Sequence, residues 1–316
     1  MTGSTQKTLV FVEHANGALD DLSAQALTLA RGLAKGEVEA IAVGEVDVGP
    51  YGATTLHVAE LEADYAPAAW AAAVAELAGR LSPSAVVAAG TDRGNEVMAH
   101  VAARLDLPFA ANCVAVDGDT VTRTRWGGSL LEEARIHGEP ALLSVQPHAV
   151  AATTSSAPGE TAVERFAPEL SDADRVVRVV DRVVASGGGV SLAEAKVVVS
   201  GGRGVGSTEG FAIVEELAGL LGGAVGCSRA VTMAGWRPHT DQVGQTGTKI
   251  APEIYIACGI SGATQHMAGC KGAKKLLAIN ADGDAPIFAS ADYAVIGDLH
   301  EILPAISAEI RRVRGA

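Results

Sequence analysis

The side chains best suited to hold a ligand lie between Gln242 and Gly269, in QVGQTGTKIAPEIYIACGISGATQHMAG. Gln245, Thr246, Ser261, Thr264, Gln265 and His266 put hydrogen-bonding groups on both flanks of a short apolar run. Gly244, Gly247, Gly259 and Gly262 let main-chain amides approach a bound molecule. Lys249 is the only permanent cation of the stretch. Such a set suits a flat, polar, partly anionic molecule held by dipoles and amides. A nucleotide-like cofactor is the chemistry it points to.

Other segments share this character. Gly201-Gly202-Arg203-Gly204-Val205-Gly206 follows an apolar run and precedes a helical one, as dinucleotide fingerprints do. It departs from GxGxxG because Ser207 takes the last glycine position, and it lacks the lysine of a Walker A loop. A plain glycine turn is the competing reading; Arg203 within the turn favours ligand contact. Ser228-Arg229 ends a short strand. A surface arginine alone is usually solvated or paired, but beside the other strand ends Arg229 becomes a cation for a flavin or a phosphate. A lone histidine is more often structural than functional, and the polar neighbours of His266 bring the two readings level. Asp298 either accepts from ribose hydroxyls or caps the helix that follows, and both readings stand. Thr91-Asp92-Arg93-Gly94-Asn95 could hold an anion and is read as a turn and helix cap. His14 and His137 have no evident partners. No Ser-His-Asp order, HExxH or carboxylate pair stands out, which leaves hydrolytic chemistry without support.

These segments must be positioned by strands. Thr8–Glu13, Val38–Gly44, Thr54–Val58 and Ala85–Gly90 read as strands, with helices at Leu19–Ala34, at Pro67–Leu81 with Pro67 near its start, and from TDRGNE to Arg104. Strand–helix alternation implies a mainly parallel sheet. Cys113–Val116, Thr120–Trp126 and Ala141–Gln146 follow with few helices between them, and Asp117-Gly118 is a turn signal, so an antiparallel end is expected. RVVRVVDRVV (Arg175–Val184) reads as a further strand. Ala185–Gly189 is the best linker, dividing an N-terminal α/β domain (1–188) from a C-terminal Rossmann-like, doubly wound domain (189–316). In the latter, strands Lys196–Ser200, Ala224–Cys227, Glu253–Cys258, Lys275–Asn280 and Tyr293–Gly297 each end in polar or glycine residues. A helix at Gly210–Leu221 and a closing helix at Leu299–Val313 complete it. All five carboxyl ends then fall along one edge, where open α/β sheets bind ligands.

Composition sets bounds. At 316 residues, 48% hydrophobic and 19% charged, the chain fits two buried α/β cores. A net charge of −13 argues against general nucleic-acid binding and suits solubility or a basic partner surface. Four scattered cysteines without a CxxC argue against a disulfide framework or zinc, and for a reducing compartment. No apolar run has the length of a membrane span, and the first strand starts close to Met1, which leaves no room for a leader; a cytoplasmic location is expected.

The C-terminal half resembles the alpha subunit of electron transfer flavoproteins through VVVSGGRG (Val197–Gly204), GCSRA (Gly226–Ala230), QVGQTG (Gln242–Gly247), APEIYIACGISGATQH (Ala251–His266), LLAIN (Leu276–Asn280), DAPIF (Asp284–Phe288) and ADYAVIGDL (Ala291–Leu299). The first half resembles it more loosely, through LVFVEH (Leu9–His14) and RTRWGGSL (Arg123–Leu130). Thr264, Cys270 and the loop around Thr248 depart from the family's usual residues.

The resemblance implies FAD in the second domain, a partner beta subunit holding AMP or a second FAD, and a first domain that serves as interface and scaffold. It implies electrons accepted from acyl-CoA or other flavoprotein dehydrogenases, as in fatty acid beta-oxidation, and delivered to a membrane quinone oxidoreductase. No nucleic acid and no membrane insertion are expected. Carried over by position, FAD contacts fall on Arg203, Ser228, Val243, Gly244, Gln245, Thr246, Ser261, Gly262, Ala263, Thr264, Gln265, His266, Asn280, Asp298 and Leu299. Arg229 and His266 match groups against the isoalloxazine ring, Thr246 one near N5, Ser261 a pyrophosphate contact, and Asn280 and Asp298 the adenosine end. An electron carrier needs proximity rather than an acid or base, which accounts for the missing catalytic constellation. A flavin-bifurcating subunit, a stand-alone flavin- or nicotinamide-dependent dehydrogenase and a nucleotide-binding regulatory protein are the alternatives.

Overall fold

The computed structural model describes residues 6–33, 36–61, 65–125, 130–156, 159–179, 191–193 and 195–315. The Ala185–Gly189 linker lies outside them, as do residues 180–184 of the valine-rich run and Trp126, the last residue of the strand expected at Thr120–Trp126. The chain divides into two compact units, Met1–Val184 and Ala185–Ala316. Among the described residues no helix is long and apolar enough to cross a membrane.

The first unit runs β1 (Lys7–Phe11), a hairpin of β2 (His14–Ala15) and β3 (Ala18–Leu19), α1 (Asp21–Leu33), β4 (Glu37–Val43), β5 (Thr55–Ala59), α2 (Pro67–Leu81), β6 (Ala85–Ala89), α3 (Asp92–Leu105), β7 (Phe109–Asp117), β8 (Thr120–Arg125), β9 (Leu130–Arg135), β10 (Ala141–Val145) and β11 (Ala162–Phe166). The sheet order is β11-β5-β4-β1-β6-β10-β7-β8-β9. Alternate side chains along β1 and the residue after it feed separate cores on its two faces, Leu9 and Phe11 on one, Val10 and Val12 on the other. A strand buried on both sides has to be apolar throughout, which is why these runs were legible.

Three details differ from expectation. The antiparallel end exists as β7-β8-β9, with Gly118 at φ 60° in its turn, but β10 is not part of it. Instead β10 pairs in parallel with both β6 and β7, inside the sheet. The valine run does not form a strand where it is described. Asp172–Arg175 is a 3-10 turn closed by Ser171 and Asp174, and Val176 and Val177 are exposed. The sheet edge beside β5 is already taken by β11, whose exposed Glu164 and Arg165 hid it in the sequence.

The second unit comprises β12 (Val197–Gly201), α4 (Ala212–Leu221), β13 (Ala224–Cys227), α5 (Arg229–Met233), β14 (Ile254–Cys258), α6 (Thr264–Cys270), β15 (Leu276–Asn280), β16 (Tyr293–Ile296) and α7 (Leu299–Arg314). Its sheet, β13-β12-β14-β15-β16, is parallel throughout. Val198, Tyr255, Ala257 and Ala278 build the core of one face. Val199, Ile256, Cys258 and Ile279 meet Val214 and Leu217 of α4 and Leu299 and Leu303 of α7 on the other. Apolar faces covered on both sides make this a doubly wound α/β unit. All four cysteines of the chain are free and buried.

Candidate functional site

The loops or last residues of β12, β13, β14 and β15 meet at a cavity of about 370 Å³. The chain leaves β12 for β13 on one side and returns to β14 on the other, so the strand order reverses between β12 and β14. At such a reversal the following loops diverge and leave a crevice, the usual ligand site of an open α/β sheet. The volume lies within the range of small-molecule sites.

Main chain forms its floor. Gly202 N donates to the Cys258 carbonyl at 2.8 Å and Gly204 N to the Gly259 carbonyl at 3.1 Å. A Cβ on Gly202 would stand 2.2 Å from Gly259 O, and Gly259 itself sits at φ 65°. These glycines therefore first bring two loops together, a role beyond the ligand approach that sequence suggested for them.

Most of the anticipated side chains converge on this cavity. Arg203, Ser228 and Arg229 line it from the ends of β12 and β13, and Val243, Gly244, Gln245 and Thr246 from the loop before β14. Ser261, Ala263, Gln265 and His266 line it from the start of α6, and Asn280 from β15. Gly262, Thr264, Asp298 and Leu299 are not in the lining. A Cβ on Gly262 would meet Ile287 Cα at 2.5 Å, so this glycine serves packing. Thr264 is exposed at the first position of α6. Asp298 caps α7, accepting from His300 N at 2.8 Å, and Leu299 is buried in the core below Gly259. Gln242, Gly259, Ile260, Asp282 and Ala285 also line the cavity. Gln242 and Gly259 belong to the polar, glycine-rich flanks, and Asp282 follows a strand end, which was the available signal.

The lining carries charge and oriented donors. Among the described residues, Arg203 and Arg229 make no ion pair, whereas nearby Arg237 is held by Glu215 and Asp241. Two exposed, unpaired guanidinium groups beside one cavity favour an anionic ligand. Asn280 Nδ2 donates to Ile260 O at 3.0 Å, tying the loops after β14 and β15 together. Buried Gln242 donates from Nε2 to Thr246 Oγ1 at 3.0 Å, which leaves the threonine hydroxyl hydrogen free to point elsewhere.

His266 is buried, its Nε2 lying 2.7 Å from the hydroxyl of fully buried Tyr255. Its Nδ1 has no partner that satisfies hydrogen-bond geometry. Burial pushes its pKa down to about 4, with a Val243 backbone carbonyl pulling weakly the other way. The ring is therefore neutral near pH 7 and offers a hydrogen bond rather than a charge. Of the two groups expected against the isoalloxazine, only Arg229 is a cation.

The first unit offers less. Thr91 caps α3, accepting from Gly94 N at 2.7 Å while its hydroxyl donates to Glu13. Burial raises the pKa of that carboxyl, and a buried acid there opposes any anion. A larger open cleft of about 1040 Å³, lined in part by Glu45, Asp47, Thr161 and Arg165, has its arginine paired with Glu45. Among the described residues no group of three or more His, Cys, Asp or Glu could hold a metal ion.

Comparison with known proteins agrees with this geometry. Residues 8–187 match the electron transfer flavoprotein domain, and residues 191–271 the electron transfer flavoprotein FAD-binding domain. The electron transfer flavoprotein subunit alpha of Mycobacterium leprae is 39% identical, with 97% of this chain and 99% of that one covered. That of Thermoanaerobacterium thermosaccharolyticum is 35% identical over 96% and 98%. The chain belongs to the electron transfer flavoprotein alpha-subunit family. Protein FixB of Clostridium saccharobutylicum is similar as well, 34% identical over 97% of both chains. Membership in the electron transfer flavoprotein alpha family supports an electron-transfer role and flavin binding by the second unit. The residues present fit a flavin. Unpaired guanidinium groups suit its phosphates or the electron-rich edge of its ring, and the side chains of Ser228, Gln245, Thr246 and Asn280 bring polar groups to the same cavity.

Proposed function

We propose that this chain is the FAD-carrying alpha subunit of a heterodimeric electron transfer flavoprotein. Its beta subunit would hold AMP, or a second FAD in the bifurcating class. Electrons would come from flavoprotein dehydrogenases, those acting on acyl-CoA in fatty acid beta-oxidation among them, and pass to a membrane quinone oxidoreductase. The observation that carries this reading is the cavity at the strand reversal, with two unpaired arginines and inward donors but no acid–base pair, in a chain matched over nearly its whole length.

FAD supplies one- and two-electron redox chemistry when bound. Arg203 and the Ser261 loop would hold its pyrophosphate, and Asn280 the adenosine end. Ser228, Arg229, Thr246 and His266 would face the ring. Arg229 would hold a fixed positive charge where negative charge gathers on reduction, and His266 would add a neutral donor. Gln242 orients Thr246, and the backbone floor formed by Gly202, Gly204 and Gly259 fixes the distance between the two loops. Buried free thiols accord with a reducing, cytoplasmic setting.

The test is purification with the beta subunit, a visible spectrum, identification of the released cofactor and reduction by an acyl-CoA dehydrogenase with its substrate. One FAD per complex, reduced only through the protein donor, is expected. Absence of flavin, or turnover of a small substrate without that donor, overturns the reading. Two FAD per complex mark the bifurcating class.

A further inference from the structure

Among the described residues that line the cavity, Asp282 is the only carboxylate. Its neighbours fix it in place. Asn280 Nδ2 donates to Ile260 O at 3.0 Å, and Asn280 Oδ1 accepts from Asp282 N at 3.1 Å. Asp282 Oδ1 accepts in turn from Asp284 N at 3.0 Å. One carboxylate oxygen is thus held by the turn, and the other, Oδ2, has no protein partner among the described residues. Asp282 is exposed, so that oxygen is open to a bound molecule without any movement of the core.

Charge is divided across the cavity. Arg203 follows β12 and Arg229 follows β13, whereas Asp282 follows β15, on the far side of β14. Neighbouring strands lie about 4.8 Å apart, so the end of β15 stands roughly 10–15 Å from the ends of β12 and β13. A dinucleotide is divided in the same way, with anionic phosphates in its middle and neutral, donating hydroxyls on its ribose. The phosphates are drawn to the arginine side and repelled at Asp282, while a sugar hydroxyl suits a carboxylate.

Topology supplies an independent argument. β14, α6 and β15 form one strand–helix–strand unit whose two strands pair in parallel. Its first turn holds Gly259 and Gly262, both in the left-handed region at φ 65° and 85°. In dinucleotide-binding units of this shape, an acidic residue about 20 positions beyond the glycine turn accepts from a ribose hydroxyl. Asp282 occupies that place, just beyond β15. The turn spells G-x-x-G in place of G-x-G-x-x-G, so pattern matching passes over it. Asp298, the carboxylate that the sequence offered for the ribose, caps α7 and is not in the lining.

We propose that Asp282 is the specificity-determining residue at the adenosine end of the cavity: its free oxygen accepts from a ribose hydroxyl of the bound dinucleotide, and its charge keeps the phosphates on the arginine side. The inference rests on the flavin reading of the cavity and adds to it the group that recognises the sugar.

The experiment uses the full chain assembled with its beta subunit and stripped of flavin. Binding of FAD is compared with that of FAD analogues lacking the 2′- or the 3′-hydroxyl of the adenosine ribose. The parent should hold at least one analogue roughly tenfold more weakly than FAD, the scale of a hydrogen bond to a charged group. In Asp282→Ala, FAD itself should weaken by a similar factor, and that analogue should then bind as FAD does. Asp282→Asn keeps an oxygen for Asp284 N and serves where the alanine variant does not fold; the discrimination should shrink there too. Asp284→Asn removes the same charge outside the lining and should keep the parent's discrimination. Equal affinity of the parent for FAD and both analogues overturns the proposal. So does discrimination that survives undiminished in Asp282→Ala and Asp282→Asn, or that is lost as fully in Asp284→Asn. A complex that takes up no FAD overturns the flavin reading itself, whereas FAD taken up without discrimination overturns this inference alone.

Discussion

Gln242 holds Thr246 by donating from its side-chain amide to the threonine hydroxyl at 3.0 Å, inside a loop that otherwise has few fixed side chains. The amide oxygen of Gln242 in turn lies 2.8 Å from Thr232 Oγ1. A buried glutamine engaged at both ends restricts Thr246 to a narrow set of hydroxyl directions. Gln242→Ala should therefore weaken flavin retention although no ligand contact is deleted outright. The expected loss is about 1 kcal/mol, near fivefold in dissociation constant. Flavin titration of the apo complex measures it, and parent affinity in the variant would mean that the loop orients itself.

Arg229 bears on redox potential. It is exposed at the cavity mouth and lacks a carboxylate partner among the described residues. Arg229→Ala should lower the potential of the first electron while the complex keeps its flavin, because the phosphate and adenosine contacts assigned to other residues remain. Spectroelectrochemical titration against the parent, with flavin content matched, decides it. Potentials equal to the parent's would remove Arg229 from the ring's surroundings.

Ser261 separates the phosphate assignment from the ring assignment. Ser261→Asp places a carboxylate in the lining close to where the pyrophosphate is assigned, and should strip the flavin during dialysis. Ser261→Ala should lose only a modest part of the affinity. Full flavin content in the aspartate variant would show that the loop does not face the phosphates.

Acid should act through His266. Its folded pKa of about 4 lies below the ordinary 6.5, so between those values the unfolded chain binds more protons than the folded one. Stability is then complete above pH 6.5 and is lost as pH falls towards 4, by roughly 3 kcal/mol in total. His266→Gln should flatten that decline. Denaturant unfolding followed from pH 7 to pH 4.5 in both proteins tests the sign, and parallel curves would contradict it.

Two glycines make an internal control for the crevice floor. Gly202→Ala would force a Cβ to 2.2 Å from a carbonyl oxygen and should destabilise the second unit and release flavin. Gly219→Ala, inside α4 with nothing within 4 Å of the added Cβ, should stabilise by up to about 1 kcal/mol. Melting curves that rank the two variants the other way would refute the packing role given to Gly202.

The inner strands of the second unit were readable because they are buried on both faces, and the exposed edge strand β16 because its apolar run is bounded by glycine or polar residues. The convergence of their ends then followed from parallel topology. Pairings between separate elements were not readable. Tyr255 looks like any core residue of an apolar strand, and nothing in its neighbours tells that its hydroxyl meets His266. Gly262 and Gly202 carry the same letter as the ligand-approach glycines, but their reasons are Ile287 and Gly259, which are distant in the chain. In the first unit β11 was missed because an exposed edge strand has no buried face to impose alternation. The placement of β10 depends on strand order, which local pattern does not encode.

The concealment of every thiol has a practical consequence. Cys113 lies in the first unit and Cys227, Cys258 and Cys270 in the second, all under the surface, with burial pushing their pKa values up to about 11 or 12. A thiol reagent finds no surface target, so its uptake is a clock for opening. Labelling at Cys113 times the breathing of the first unit and labelling at the other three that of the second, which lets one native chain report the local unfolding of its two halves separately.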